Sequence, residues 1–226
     1  MLLQRHYLLE ISRQGRYFAL KKVLENSHYY DINRIEQLIL GGTGSRQVPG
    51  IVRREENKKL CGTIAVGFSS PDLYEGQRLR VPSFIPEDAV EKIITPYDLL
   101  KRAFSLRTKC LRALHEVAAS ADRAGINLGI WGSAALEVYT SLPYTREESD
   151  LDLVITGADF QRITSFYRVI REIASYYMTT IDLEIDIGGY GIKAAELFME
   201  TDQVLAKSIS RVDLLAKDLV VSQIKK

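Results

Sequence analysis

The stretch that decides the fold runs from Asn127 to Leu153 and reads NLGIWGSAALEVYTSLPYTREESDLDL. Asn127 to Trp131 is a short apolar run of the kind that forms a buried strand. A Gly-Ser pair then leads into Ser133 to Ser141, whose spacing predicts a helix. After a polar loop, Asp150 to Ile155 alternates polar and aliphatic residues, which predicts a second strand.

The pattern continues toward the C-terminus with a long amphipathic helix predicted over Asp159 to Tyr177. Thr180 to Ile187 alternates strictly and predicts a strand, after which Gly188-Gly189 turns the chain. Ala194 to Met199 predicts a short helix, and the tail from Leu214 predicts another. Strands and helices in this order indicate an α/β or α+β layer domain.

The first hundred residues are less regular. Helices are predicted over Tyr17 to Glu25 and Ile32 to Leu40, and strands at Ile51-Val52 and Thr63 to Phe68. Prolines at 71, 82 and 86 argue against long elements there, whereas Pro96 begins a long helix predicted to reach about Arg123. We therefore place a domain boundary near residue 105, with an accessory domain over 1–105 and a catalytic domain over 106–226.

Asp150 and Asp152 are candidates for chemistry because residues two apart on a strand point to the same face. Two neighbouring carboxylates repel each other unless a positive charge lies between them. Mg²⁺ fits, since it binds one or two carboxylates and completes its shell with water and phosphate oxygens. A third acidic residue is expected on the strand 180–187, where we favour Asp182 over Glu184.

Gly132 and Ser133 lie where a strand gives way to a helix. A helix N-terminus attracts phosphate through its unpaired N–H groups and its dipole, and glycine allows close backbone approach. Ser133 can cap the helix or donate to a phosphate oxygen. Each feature alone is ordinary, but their combination with the paired carboxylates indicates phosphoryl-group transfer with pyrophosphate as a plausible leaving group.

The charge balance and the cysteine content limit the classes of binding partner and cellular location that we expect. The 226 residues carry 30 basic and 29 acidic side chains, a net charge of +1 that predicts no nucleic-acid or membrane partner. The two cysteines, Cys61 and Cys110, lack metal-ligand spacing and indicate reduced thiols. Charges interrupt the apolar residues near the N-terminus, so no signal peptide is expected and a cytoplasmic location is predicted.

The order of these motifs resembles the DNA polymerase β-like nucleotidyltransferase superfamily, except that sixteen residues, 134–149, separate the Gly-Ser pair from Asp150. This longer gap is similar to that of the malonate decarboxylase holo-acyl-carrier-protein synthase (phosphoribosyl-dephospho-CoA transferase) family. The segments that carry the resemblance are Gly132–Leu136, Thr140–Tyr144 and Ser149–Leu153, with weaker matches at His6–Leu9, Pro49–Arg54, Ala65–Gly67, Asp182–Glu184, Glu196–Leu197 and Val204–Lys207.

The resemblance implies an α+β protein: a C-terminal polymerase β-like nucleotidyltransferase domain, with a mixed sheet and helices, and a smaller α/β N-terminal domain. It implies transfer of phosphoribosyl-dephospho-CoA from 2'-(5''-triphosphoribosyl)-3'-dephospho-CoA to a serine of the malonate decarboxylase acyl-carrier protein. Asp150 and Asp152 would then be catalytic and, with Asp182, hold Mg²⁺. Substrate-binding residues would be Gly132, Ser133, Arg53, Arg54 and Lys207.

Two other hypotheses fit the same motifs. One is a different nucleotidyl transfer, for example of AMP to a small molecule or protein, which needs the same carboxylate pair. The other is a non-catalytic nucleotide-binding module. Around the motif, Trp131 is interpreted as a core residue, and Tyr144 and Arg146 either touch substrate or shape the loop before Asp150.

Overall fold

The structure is a computed structural model that describes residues 3–26, 31–41, 47–54 and 61–224. The chain divides into two compact units: Met1–Thr95 with Leu142–Tyr144, and Pro96–Ser141 with Thr145–Lys226. The predicted boundary near 105 therefore lies inside the second unit. The division falls earlier because Pro96 packs beside Gly129 of the second unit, where an added Cβ would lie 2.8 Å from the proline Cβ.

The first unit is built on a five-stranded sheet in the order β4-β3-β2-β1-β5. Its elements are β1 Leu8–Ile11, α1 Arg13–Asn26, α2 Ile32–Leu40, β2 Gly50–Val52, β3 Thr63–Tyr74, β4 Gln77–Pro86 and β5 Val90–Ile94, with a 3-10 turn at Glu87–Ala89. Both predicted helices are confirmed. Neighbouring strands run antiparallel throughout the described sheet, so the unit is α+β and the α/β prediction for it was wrong.

The prolines of this unit do not prevent long strands, contrary to the prediction. β3 has 12 residues and includes Pro71, and β4 has 10 and includes Pro82. β4 lies at the sheet edge, where a missing N–H can face away from the partner strand. Pro71 falls in the stretch where the β3–β4 register shifts, between Ser69 and Leu73.

The second unit is built on a six-stranded sheet in the order β11-β10-β9-β8-β7-β6. Its elements are α3 Pro96–Leu99, α4 Lys109–Ala124, β6 Asn127–Trp131, α5 Gly132–Thr140, β7 Leu151–Thr156, α6 Phe160–Tyr177, β8 Ile181–Ile187, β9 Tyr190–Lys193, α7 Ala194–Leu197, β10 Gln203–Lys207, β11 Val212–Ala216 and α8 Lys217–Ile224. β7 and β8 are parallel and the other pairs are antiparallel. The sheet is mixed, as predicted, and the protein is α+β.

Two element predictions for this unit were wrong. The helix predicted from Pro96 to Arg123 is two helices, because the chain from 100 to 108 leaves the helical path and α4 starts only after Thr108. The tail predicted to be helical from Leu214 begins as strand β11, in which Leu214 pairs with Leu205. The helix starts only at Lys217.

The two faces of the mixed sheet have opposite chemistry. Leu151, Leu153 and Ile155 of β7 are fully buried on one face, which α4 and α6 cover with their own buried aliphatic residues. The alternate residues of β7 and β8, among them Asp152 and Asp182, lie on the opposite face. Across the described part of the chain, no helix combines the length and apolar content needed to span a membrane.

Candidate active site

The junction between β6 and α5 requires a glycine. Gly132 has a φ of +69°, a left-handed backbone conformation that favours glycine. A Cβ at this position would overlap Oδ2 of Asp152 on the neighbouring strand. The backbone of Gly132 is therefore held directly against one of the predicted catalytic carboxylates, at the first residue of α5.

The strand register places the carboxylates side by side. Asp152 pairs with Trp131 of β6 on one side and with Asp182 of β8 on the other. Asp150 is exposed and lies immediately before β7, two residues from Asp152. The three residues predicted to hold Mg²⁺ thus lie at the same end of adjacent strands, next to the start of α5.

The alternative third ligand, Glu184, lies farther along β8. It pairs with Val154 rather than with Asp152, and it is only 3% exposed. Asp182, in direct register with Asp152, is the better placed candidate. Asp186, the third acidic residue of this alternation, accepts a hydrogen bond at 2.9 Å from the backbone N–H of Gly189 and so shapes the β8–β9 turn.

Lys193, which sequence reasoning missed, enters this cluster from the end of β9. Its Nζ donates to Oδ2 of Asp182 at 2.9 Å, and in the strand register it is opposite Glu184. The hydrogen bond to Asp182 raises the pKa of Lys193, with smaller contributions from the charges of Glu184 and Asp152. The sequence did not indicate that Lys193 lies beside β8, because the four residues of β9 were not recognised as a strand.

The pKa of the Asp152 carboxyl is strongly raised. Burial, followed by the negative charges of Asp182, Asp150 and Glu184, raises its pKa to about 7, against the opposing effect of Lys193. Carboxylate oxygens are the donors that Mg²⁺ prefers, and a cation here would relieve their mutual repulsion. The side chains as placed in the described residues contain no cluster of three or more His, Cys, Asp or Glu arranged to hold a metal.

The burial of Asp152 and its repulsion by neighbouring carboxylates predict that Asp152→Asn changes the stability of the metal-free protein in a pH-dependent way. The pKa of Asp152 is raised on folding, so its contribution to stability is present at low pH and lost as pH rises through about 7. We expect the free energy of unfolding of the variant to exceed that of wild type by on the order of 2 kcal/mol at pH 8.5 and by little at pH 4. One pKa unit equals about 1.4 kcal/mol, and this value is reduced because solvent screens the carboxylate. Urea unfolding in EDTA measures this, and a difference independent of pH would contradict it.

The N-terminus of α5 is the second component of the site. Trp131 occupies the N-cap position and Gly132 and Ser133 are the first helical residues. Ser133 is therefore not the cap, and both residues are partly accessible. The first N–H groups of a helix lack partners within it and favour an anion, so this end of α5 suits a phosphate beside Asp152.

The remaining predicted substrate-binding residues lie elsewhere. Arg53 and Arg54 follow β2 in the first unit, where the backbone N–H of Arg53 donates to Ala65 at 3.0 Å and its side chain packs on Gly67. Lys207 ends β10 and pairs with Gly191 of β9, which puts it on the same sheet face as Lys193. A phosphate-binding role for these three stays a prediction.

The residues around the motif are placed as follows. Trp131 is partly buried, and its indole N–H donates to the Leu153 carbonyl at 3.3 Å. Tyr144 is fully buried in the first unit and donates to the Ser69 carbonyl at 2.7 Å, so it shapes the structure there. In the second unit, the backbone N–H of Arg146 donates to Ser149 at 2.9 Å, just before Asp150.

An ion pair between a buried glutamate and a partly exposed arginine organises the long gap between the Gly-Ser pair and Asp150. Glu137 of α5 is 7% exposed and accepts two hydrogen bonds from Arg107, at 2.6 and 2.7 Å. Its Oε2 also accepts from the backbone N–H and the hydroxyl of Thr145, at 2.6 and 2.8 Å. Burial raises the pKa of Glu137, but the bonds from Arg107 and Thr145 outweigh it, and the net shift is downward.

We expect Glu137→Gln to destabilise the protein by about 2–3 kcal/mol, because it leaves the donors of the buried Thr145 and of the partly exposed Arg107 badly matched. Glu147→Gln is a matched control: its pair with Arg112, at 3.5 Å, is exposed and contributes under about 1 kcal/mol. Urea unfolding at pH 7 compares the two, and equal losses would contradict a structural role for Glu137.

Comparison with known proteins agrees with this chemistry. The second unit is an α+β transferase domain in which carboxylates adjoin a helix N-terminus. Residues 98–218, that is 121 of the 226, match the phosphoribosyl-dephospho-CoA transferase MdcG C-terminal domain. The chain belongs to this family and is a phosphoribosyl-dephospho-CoA transferase. Searches of curated proteins and of solved structures found no match.

Proposed function

We propose that the second unit transfers the phosphoribosyl-dephospho-CoA group from 2'-(5''-triphosphoribosyl)-3'-dephospho-CoA to a serine hydroxyl of a carrier protein. The observation that carries this proposal is the position of Asp152, which lies between the backbone of Gly132 at the start of α5 and Asp182 of β8. A polyphosphate at the helix N-terminus would place its phosphorus atoms next to these carboxylates.

Asp150, Asp152 and Asp182 are proposed to hold Mg²⁺, which when bound stabilises negative charge on the phosphoryl oxygens. The chain's own groups do the remaining work. The first N–H groups of α5 bind the triphosphate, and Ser133 donates to a phosphate oxygen. A carboxylate of the cluster accepts the proton of the incoming serine hydroxyl. The serine oxygen forms the new bond to phosphorus as the bond to pyrophosphate breaks.

We extend the proposal to the fold family of the second unit and to the identity of the acceptor protein. We propose that the second unit is a polymerase β-like nucleotidyltransferase domain, because a Gly-Ser helix start, a DxD strand and a further acidic strand occur on adjacent elements. The acceptor is proposed to be the acyl-carrier subunit of malonate decarboxylase, in the cytoplasm. The first unit, with Arg53 and Arg54, is proposed to contact the substrate or the carrier protein.

Mass spectrometry of the apo carrier subunit tests the function. The carrier is incubated with this protein, Mg²⁺ and the triphosphoribosyl precursor, and a parallel reaction contains ATP in place of the precursor. A mass gain equal to the precursor minus pyrophosphate supports the proposal. A gain of AMP from ATP, with no gain from the precursor, would indicate a different nucleotidyl transfer, and no gain in either reaction would exclude this acceptor.

A further inference from the structure

Lys193 occupies an unusual place for a surface lysine. Its Nζ lies 2.9 Å from Oδ2 of Asp182, and the side chains of the pair are 42% and 43% exposed. The strand register also sets Lys193 opposite Glu184, which is buried. The ammonium group is thus held among the acidic residues of β8, on the sheet face that carries Asp152.

Stability alone gives little reason for this placement. A half-exposed ion pair contributes little to stability, because water screens the charges and two side chains lose freedom. A cation at this point also weakens the attraction of the carboxylates for a divalent metal ion, because like charges repel. The same ammonium is a donor for phosphate oxygens, which lysine binds as a point charge. Both effects bear on ligand binding rather than on folding.

We propose that Lys193 is a substrate-binding residue that pairs with Asp182 in the free enzyme and with the polyphosphate of the substrate in the complex. The assignment rests on the proposed function, in that it requires a polyphosphate ligand. Lys193 and a divalent cation compete for Asp182, so that binding of the cation frees the ammonium group. The freed group, adjacent to the start of the acidic strand, then donates to a phosphate oxygen.

The first test measures Mg²⁺ binding by calorimetry in the absence of any nucleotide. Lys193→Met is expected to bind Mg²⁺ about ten-fold more tightly, because a competing positive charge close to the carboxylates is removed. Lys193→Arg keeps the charge and should bind as wild type does. Lys101→Met is the matched control, since Lys101 forms a 3.7 Å pair with Asp98 and its side chain is 79% exposed. A Lys193→Met affinity equal to that of wild type overturns the competition.

The second test uses inorganic tripolyphosphate at saturating Mg²⁺. Lys193→Met is expected to bind it about ten-fold more weakly, and the KM for the triphosphoribosyl precursor should rise by more than kcat falls. Unchanged tripolyphosphate affinity would overturn the proposal. Failure of the proposed function can be distinguished from failure of the proposed role of Lys193. If the proteins bind Mg²⁺ and tripolyphosphate as expected but wild type transfers no group, the proposed function is refuted and the role of Lys193 is retained.

Discussion

Replacing Asp152 with asparagine is expected to lower the rate of group transfer at least about a thousand-fold while the protein stays folded. Asp152 lies at the centre of the site, between Gly132 and Asp182. Asparagine keeps the shape of the side chain but removes the negative charge that we propose holds a cation and accepts a proton. A thousand-fold loss corresponds to about 4 kcal/mol of transition-state stabilisation, within the range of a metal-binding carboxylate.

The measurement is single-turnover transfer to the apo carrier, followed by mass spectrometry. Asp122→Asn makes the same chemical change on the exposed surface of α4 and should transfer at the wild-type rate. Because Asp152→Asn relieves repulsion in the metal-free protein, lower stability cannot explain its inactivity. A rate within ten-fold of wild type would remove Asp152 from the mechanism.

The elements that position the site were predictable from the sequence. α5, β7, α6 and β8 each carry a regular apolar period long enough to identify the element, and β8 also ends at a Gly-Gly turn. β6 was identified as a short apolar run directly before the Gly-Ser pair. The two-residue period placed Asp150 and Asp152 on one face without knowledge of the register. The choice between Asp182 and Glu184 needed the pairing of β7 with β8, which no local pattern specifies.

The strands that the sequence did not indicate in the second unit depend on pairing partners that lie elsewhere in the chain. β9, β10 and β11 have four or five residues each, too few to show a decisive period. They are stable because they add in sequence to the edge of an existing sheet. Lys193 was missed with them, since its pairing with Asp182 depends on a strand that the sequence did not indicate.

The break in the helix predicted from Pro96 to Arg123 has a tertiary cause. Arg107 leaves the helical path and binds Glu137, thirty positions later in the chain. Thr108, which precedes α4, bonds through its hydroxyl to that of Thr145 at 3.0 Å. Residues 100–108 have helical propensity, but these distant partners decide their conformation. A single charge within the apolar run Ala134–Val138 was the one visible sign of the pair.

Gly132→Ala is expected to reduce transfer at least about a hundred-fold and to destabilise the protein by about 2–5 kcal/mol. A non-glycine residue at a φ of +69° costs about 1–2 kcal/mol. The added Cβ also overlaps Oδ2 of Asp152, so either the carboxylate or the start of α5 must move. Overpacking of this kind typically costs a further 1–3 kcal/mol or so, and a displacement of about 1 Å at a reacting group can cost a hundred-fold in rate.

Gly157→Ala separates the two causes. Gly157 has almost the same φ, +70°, but a Cβ there would meet nothing within 4 Å. Gly157→Ala should therefore lose only the stability that a positive φ costs a non-glycine residue, about 1–2 kcal/mol in urea unfolding. Its rate of transfer should equal that of wild type. The excess loss in Gly132→Ala then measures the contact with Asp152. If the two variants were equally stable and equally active, the close approach of the α5 backbone to Asp152 would have no part in forming the site.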